Sequence, residues 1–547
     1  MTEKICFRQI CLAAKEVHDM TTLNRRTLLK AGAAAGAAAL GGAAKALEIP
    51  DADKHHWDRT CDVLVIGFGG AGGPAAVSAK EAGADVLVIE KMSVGGGNCT
   101  VSSGGFVCVD NVEDGMAYMK KTYELSKGEC DEELLRIFCE GSVSIKDWIA
   151  ALDPEAKFRV YGHAGWQNFP GADSIKKWSI YGRKGFTGGD SLFQTFRRIV
   201  EDVQKTPVLY NTRATRLVRE GNAVVGALAE HEGKTIAIRA RRGVIIATGG
   251  FQCNPDLVRK YVSGAKLAFL GSPGNTGDGL LLAQSMGAQL WHMTDVSAPL
   301  GIQVPGVKAA FQLSAKAPSF IWVDQDGLRF VNEKGIDGHT QITAVNIYDA
   351  VKHRYPRNPC YMIFDEAARK AGPIYGTAVS GYALNREHYK WSPDNSEEIK
   401  KGVIIEAPTI EALAEKLGMP RLVETVRKWN EDMKAGADTL FGRRIMKDPN
   451  AKVVFEGRDV DRLSAPISLD GPVYAVPLVP VAYNCQGGPK KNAKCQVLDP
   501  FGDPIPHLYI CGELGSMWTS VYQGASSNAE CMIFGRIAGR EAASNKD

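Results

Sequence analysis

The residues best spaced for chemistry are Gly67, Gly69 and Gly72, a Gly-x-Gly-x-x-Gly after the apolar run Val63 to Ile66. An Ala-rich stretch of helical composition follows them. A strand that breaks into such a turn and then a helix can hold a pyrophosphate. Gly67 permits the tight turn, Gly69 lets backbone amides approach the phosphates, and Gly72 lets helix and strand pack closely. The free N–H groups and dipole of the helix start then face the anion. A second run, Asp85 to Ile89, ends in Glu90, eighteen residues past Gly72, where an acid would hydrogen-bond a ribose hydroxyl. Strand, turn, helix, strand and acid together predict a dinucleotide site on a parallel sheet.

The rest of the chain supplies elements that can position such a site. Gly95-Gly96-Gly97-Asn98 and Ser102-Ser103-Gly104-Gly105 keep side chains clear of a flat ligand lying against backbone. Residues 112 to 152 have helical patterning, with Asp131 at an N-cap. Residues 153 to 190, rich in glycine and aromatics (Tyr161, His163, Trp166, Trp178, Tyr181), predict irregular structure near a ligand or an interface. Residues 191 to 204 return to helix. Strands are expected at Val208 to Tyr210, Ala223 to Ala229, Thr235 to Ile238 and Val244 to Ala247, the last running into Thr248-Gly249-Gly250. Another glycine turn, Gly274 to Gly279, precedes a helix. Residues 300 to 440 form a second, mixed region with a strand at Tyr361 to Asp365. Strand Leu508 to Cys511 leads into Gly512-Glu513, and a closing helix runs from about Asn528 to Ala543. The fold class expected is α/β.

At 547 residues the chain is too long for one ordinary domain. Its 45% hydrophobic and 23% charged residues describe a globular protein, and a net charge of +3 without a basic stripe argues against nucleic acid as a partner. The first 46 residues differ in character. Asn24-Arg25-Arg26-Thr27-Leu28-Leu29-Lys30, a weakly apolar Ala/Gly stretch and Ala44-Lys45-Ala46 read as a twin-arginine signal peptide. Export of an already folded chain to the periplasm or the outer face of the cell membrane is therefore expected, and Met20 is a second candidate start. Thirteen cysteines form no C-x-x-C and no C-x-x-C-H. Cys61, Cys511 and Cys531 look like buried core thiols; a [4Fe–4S] cluster built from distant thiolates is carried as a candidate cofactor, with no metal ligands assigned.

Taken in order, the glycine stations, Arg329-Phe-Val-Asn-Glu333, Gly512-Glu513 and Asn528 to Gly539 resemble the flavoprotein superfamily of soluble fumarate reductases, urocanate reductases and 3-ketosteroid dehydrogenases. The most specific resemblance is to the bacterial cardiac glycoside (digoxin) reductases, for which an iron–sulfur centre is also implied. The resemblance implies a bipartite Rossmann-like FAD-binding domain (58–295 and 441–547) with an inserted α+β capping domain (296–440). By position, Glu90 would meet the adenosine ribose and Ala214 would lie near the adenine. Gly96, Asn98, Gly249, Asp278 and Glu513 would line FAD. The Asn528-Ala529 helix start would face the pyrimidine edge of the flavin, where its dipole favours negative charge.

The departures from that family narrow the substrate. Where soluble fumarate reductases carry a catalytic Arg, four residues past the Glu of the Arg-Phe-Val-Asn-Glu motif, this chain has Asp337. Where they carry a His pair it has Asn484-Cys485, and where they carry a clamping Arg it has Gly524. A dicarboxylate without those partners would be costly to desolvate. Tyr522-Gln523-Gly524 instead resembles the Tyr and nearby Gly with which the steroid dehydrogenases polarise a ketone. That arrangement suits a neutral α,β-unsaturated carbonyl. The reading is hydride exchange with FAD, with Tyr522 and a backbone N–H of Gly524 or its neighbours holding an enolate. His339 or one of the tyrosines 161, 181, 375 and 382 would serve the α-carbon. No second dinucleotide motif and no haem motif is seen, so electrons are expected from a separate cytochrome or quinol-linked partner. The rivals are a 3-ketosteroid dehydrogenase, a reductase of a small unsaturated acid held by Arg183 or Arg329, and a flavin electron carrier without a substrate.

Overall fold

The computed structural model describes residues 50 to 546 apart from 187, 263, 265, 377–388 and 445–462. The expected signal peptide, Cys6, Cys11 and Tyr382 lie outside the described residues.

Burial of consecutive apolar residues builds the first sheet. Strand Arg59–Ile66, buried from Cys61 onward, pairs in parallel with Val86–Ile89 on one side and Lys234–Ile246 on the other. Val208–Leu209 extends the first edge, and Pro504–Ile510 with Gln496–Leu498 extends the second. Helix Gly72–Glu81 lies on this sheet, and the closing helix Ser526–Ser544 packs across it. Two glycines make that crossing close: a Cβ on Gly535 would stand 2.6 Å from the Ala71 carbonyl oxygen, and one on Gly539 2.3 Å from that of Ala75. The contact brings the middle of the last helix to the Gly67–Gly72 turn although the two are over 450 residues apart in sequence.

The strand expected in two pieces, Thr235 to Ile238 and Val244 to Ala247, is one element, Lys234–Ile246. Arg239, Arg241 and Arg242 interrupt its apolar pattern, and Arg241 and Arg242 reach Asp62 on the neighbouring strand. Residues 153 to 190 are not irregular: Lys157–His163 and Ile175–Tyr181 form a three-stranded antiparallel sheet with Phe106–Val109. Lys157–His163 is an edge strand, exposed along most of its length, so it carries no alternation to read. Asp131 caps its helix as expected, accepting from the Glu133 and Leu134 amides.

The second sheet has Val473–Ala482 at its centre, paired antiparallel with Cys360–Asp365 and Leu300–Ile302, with Phe320–Val323 beyond. Its alternating faces are both covered. Ile321, Val323 and Ile363 pack on helices Ile410–Leu417 and Leu422–Ala435; Trp322, Met362 and Phe364 pack on the opposite side. The boundary expected at 440 thus lies before the central strand, and the chain leaves this sheet only at Ala482. Arg329 and Glu333 form a buried ion pair with Asp438 and Arg443, and the Arg329 guanidinium stacks on Trp429.

Candidate active site

A cavity of about 1780 Å³ runs between these elements, larger than the roughly 300–1,000 Å³ of an ordinary small-molecule pocket. It is lined at one end by Gly67, Gly69, Glu90, Ala214 and Asp278, and at the other by His339, Tyr522 and Ala525.

At the first end the backbone is shaped by the absence of side chains. A Cβ on Gly67 would stand 2.5 Å from the Ala247 carbonyl oxygen, and one on Gly72 only 1.9 Å from that of Gly67. Glu90 accepts from the Phe68 and Met92 amides at 2.9 and 2.8 Å, so it braces the glycine turn while facing the cavity. Asp278 holds Lys91 and Arg213, each at 2.7 Å. Burial opposes its charge, yet those two cations keep its carboxyl below the usual range. Glu513 accepts from Asn98 and Asn275, and burial pushes it up to about 7. Asn98 is used within the protein, donating to Tyr483 and Glu513 and accepting from the Ser272 amide. Gly249 adopts φ +71° against Asn275, and Gly96 adopts φ +115° against Thr100. Gly72, Gly96 and Ala529 support the wall from behind, whereas Asn528 faces the cavity and donates to the Gly105 carbonyl.

At the second end, Tyr522 is 3% exposed and packs edge-on against His339 with ring centroids 5.2 Å apart. Burial raises its phenol to about 12; the Ser297 and Ser527 hydroxyls pull the other way, and Asp337 and Glu513 add to the rise. His339 Nδ1 lies 2.9 Å from Asp337 Oδ1, which also caps the His339 amide. Burial works against the Asp337 charge, but His339 and Lys177 hold its carboxyl below the usual range. An ionised carboxylate only accepts, so the shared proton belongs on Nδ1 and Nε2 is left facing outward. Gly524 supplies room, since a Cβ there would meet His339 Cε1 at 2.6 Å.

The tyrosines named with His339 separate. Tyr161 lines the cavity, its phenol taking the space that a Gly105 side chain would occupy. Tyr181 is exposed and Tyr375 belongs to an aromatic cluster with Phe311 and Trp391; neither lines the cavity. The two arginines suggested as acid clamps are also elsewhere. Arg183 pairs with buried Asp153, and Arg329 is held by Glu333 and Asp438. Asp337 and Ser297 were not foreseen in these roles. Only Asp337 left a local signal, as an acid capping a short turn two residues before a histidine. Among the described residues every cysteine is a free thiol, and no three His, Cys, Asp or Glu side chains are grouped to hold a metal, so no ligand set for a [4Fe–4S] cluster is found there.

The cavity wall also contains buried polar atoms with no partner among the described residues, Thr248 Oγ1 and Asn484 Nδ2. A dinucleotide carrying a polar chain and a ring with polar edges would satisfy such atoms. The sequence matches the family described as FAD binding domain over residues 62–528. The chain belongs to that family. FAD fits the donors present: the glycine turn and helix start for its pyrophosphate, and the orphaned polar atoms of the wall. A urocanate reductase of Eggerthella lenta is 28% identical over 507 residues, 88% of this chain and 74% of that protein. A fumarate reductase (cytochrome) of Shewanella frigidimarina is 28% identical over 505 residues, 88% of this chain and 77% of that one. A 3-ketosteroid delta1-dehydrogenase from Sterolibacterium denitrificans shares the fold, with a TM-score of 0.76 at 22% identity, covering 89% of this chain and 100% of that one.

Proposed function

We propose that this protein reduces the C=C bond of a neutral α,β-unsaturated carbonyl, a steroid-like enone or an unsaturated lactone of the cardiac glycoside kind. It is an FAD-dependent oxidoreductase acting on carbon–carbon double bonds. The observation that carries the neutral substrate is the setting of Tyr522: a buried phenol packed edge-on against His339, whose Nδ1 is held by the Asp337 carboxylate. A substrate carboxylate brought there would face the Asp337 charge, while an uncharged carbonyl would gain a donor.

FAD, held against the glycine turn and the cavity wall, would supply hydride chemistry at the β-carbon. Tyr522 donates to the carbonyl oxygen; with its phenol near 12 it keeps its proton at neutral pH and stays a donor as charge develops. His339 presents Nε2 as the group to deliver a proton to the α-carbon, and Asp337 fixes the ring through Nδ1. The Arg25-Arg26 segment supports export, and the lack of a second nucleotide motif supports an electron-donating cytochrome or quinol-linked protein. The experiment is anaerobic: reduce the bound flavin with a viologen, then follow reoxidation by digoxin, androst-4-ene-3,17-dione, cinnamate and fumarate. Faster reoxidation by the neutral acceptors is the expected result; faster reoxidation by the acids would overturn the proposal.

The acid reading is second, and Lys177 and Arg159 in the cavity wall favour it. Burial lowers the Lys177 ammonium, with Asp337 opposing, so it is a cation that an anionic ligand could stabilise.

A further inference from the structure

Between Tyr522 and Gly524 stands Gln523, whose side chain is wholly buried and turned away from the cavity. Its Oε1 accepts from the Tyr118 hydroxyl and from the Gly165 amide at 2.9 Å. Its Nε2 donates to the Gly524 carbonyl at 2.9 Å. Because an amide N–H can only donate and a carbonyl only accept, this pattern leaves one orientation for the Gln523 amide. Tyr118 is itself placed by the Trp166 amide, which donates to its hydroxyl at 3.3 Å.

The backbone beside it is unusual. Ser526 N–H donates to the Gln523 carbonyl at 3.1 Å, closing a turn in which Ala525 adopts φ +78° and ψ −2°. Those are the angles of the third residue of a type II turn, a position that favours glycine. Here glycine stands one residue earlier, where His339 needs the room, and alanine takes the left-handed conformation. A non-glycine residue in that conformation must be held by its surroundings.

We propose that Gln523, set by Tyr118, is a positioning residue that turns the Gly524–Ala525 peptide so that Ala525 N–H, rather than Gly524 N–H, is the second donor beside Tyr522. The peptide is planar and trans, so its N–H points opposite its C=O. With the Gly524 carbonyl bound by Gln523, the Ala525 N–H faces the other way. Ala525 lines the cavity and Gly524 does not, and among the described residues Ala525 N–H has no acceptor. The inference rests on the oxyanion reading of Tyr522. It adds that the hole is held from outside the cavity, by a hydrogen bond reaching a residue 405 positions away in sequence.

The test uses the holoenzyme with Gln523→Leu, Gln523→Glu and Tyr118→Phe. A crystal structure of Gln523→Leu should show the Gly524–Ala525 peptide rotated or disordered; a Gly524 carbonyl kept in its original direction would overturn the proposal. With the best acceptor from the screen above, flavin reduction by viologen should be unchanged in all three variants. Reoxidation in Gln523→Leu should fall about 100-fold in kcat with little change in KM, the loss typical of one oxyanion donor. Gln523→Glu should recover as the pH falls and its carboxyl gains a proton to donate, whereas Gln523→Leu should not. Should Gln523→Leu fail to fold, Tyr118→Phe carries the same comparison with a smaller loss. Wild-type turnover in Gln523→Leu beside an inactive Tyr522→Phe would sink only the positioning role. Wild-type turnover in Tyr522→Phe would sink the oxyanion reading itself.

Discussion

At the dinucleotide end of the cavity the carboxylates serve the protein's own geometry. Glu90 is braced by two amides, Asp278 by Lys91 and Arg213, and Glu513 by Asn98 and Asn275. At the reacting end Asp337 places its bonds with His339 on one oxygen, and Tyr522, His339 and Ala525 line open space. The first end is a preformed mould of backbone held in shape by satisfied acids. The second is a set of donors whose directions are fixed by neighbours outside the cavity. Loss of one group should therefore collapse the first end and slow the second without emptying it.

The sharpest break in that contrast is Gly72→Val. With even a Cβ meeting the Gly67 carbonyl oxygen at 1.9 Å, the turn cannot close. The purified protein should carry no flavin, as read from its absorbance per chain. Losses at the other end are different in kind: His339→Ala should keep a full complement of flavin yet lower kcat by about 10²–10⁴, the usual worth of a general acid. Tyr522→Phe should cost about 10²–10³ in kcat, again with flavin retained. Either variant losing its flavin would mean that the two ends are not separable.

The smallest effect sharpens the comparison from the mould's side. Glu513 has its folded carboxyl raised to about 7, above its ordinary value, so folding takes up a proton between the ordinary carboxyl range and about pH 7. Its contribution is fully present at the acid end and is lost as the pH rises through about 7. Thermal unfolding of the flavin-free protein should show that decline, and Glu513→Gln should flatten it. An unchanged slope in the variant would assign the titration to another group.

Legibility in the sequence follows the same division. The strand before Gly67, the turn itself, Glu90 and the closing helix are local patterns, set by consecutive apolar residues and by glycines where backbone must approach backbone. Strand Lys157–His163 escaped because an exposed edge strand needs no apolar alternation, and its partner Ile175–Tyr181 joins it only through the fold. Arg183 and Arg329 looked available as cations; in the structure each is occupied by a buried carboxylate.

The sequence by itself carried a glycine turn suited to a dinucleotide, and Asp337 and Gly524 where the fumarate reductases it resembles carry arginines. Both are statements about residue type at a position, which a chain carries before it folds. Only the tertiary structure decided that Asp337 orients His339 beside Tyr522, that Tyr118 reaches Gln523, and that Ala525 rather than Gly524 lines the cavity. Hydrogen-bond direction and peptide orientation depend on partners hundreds of residues apart, and those partners meet only when the helices and sheets have packed.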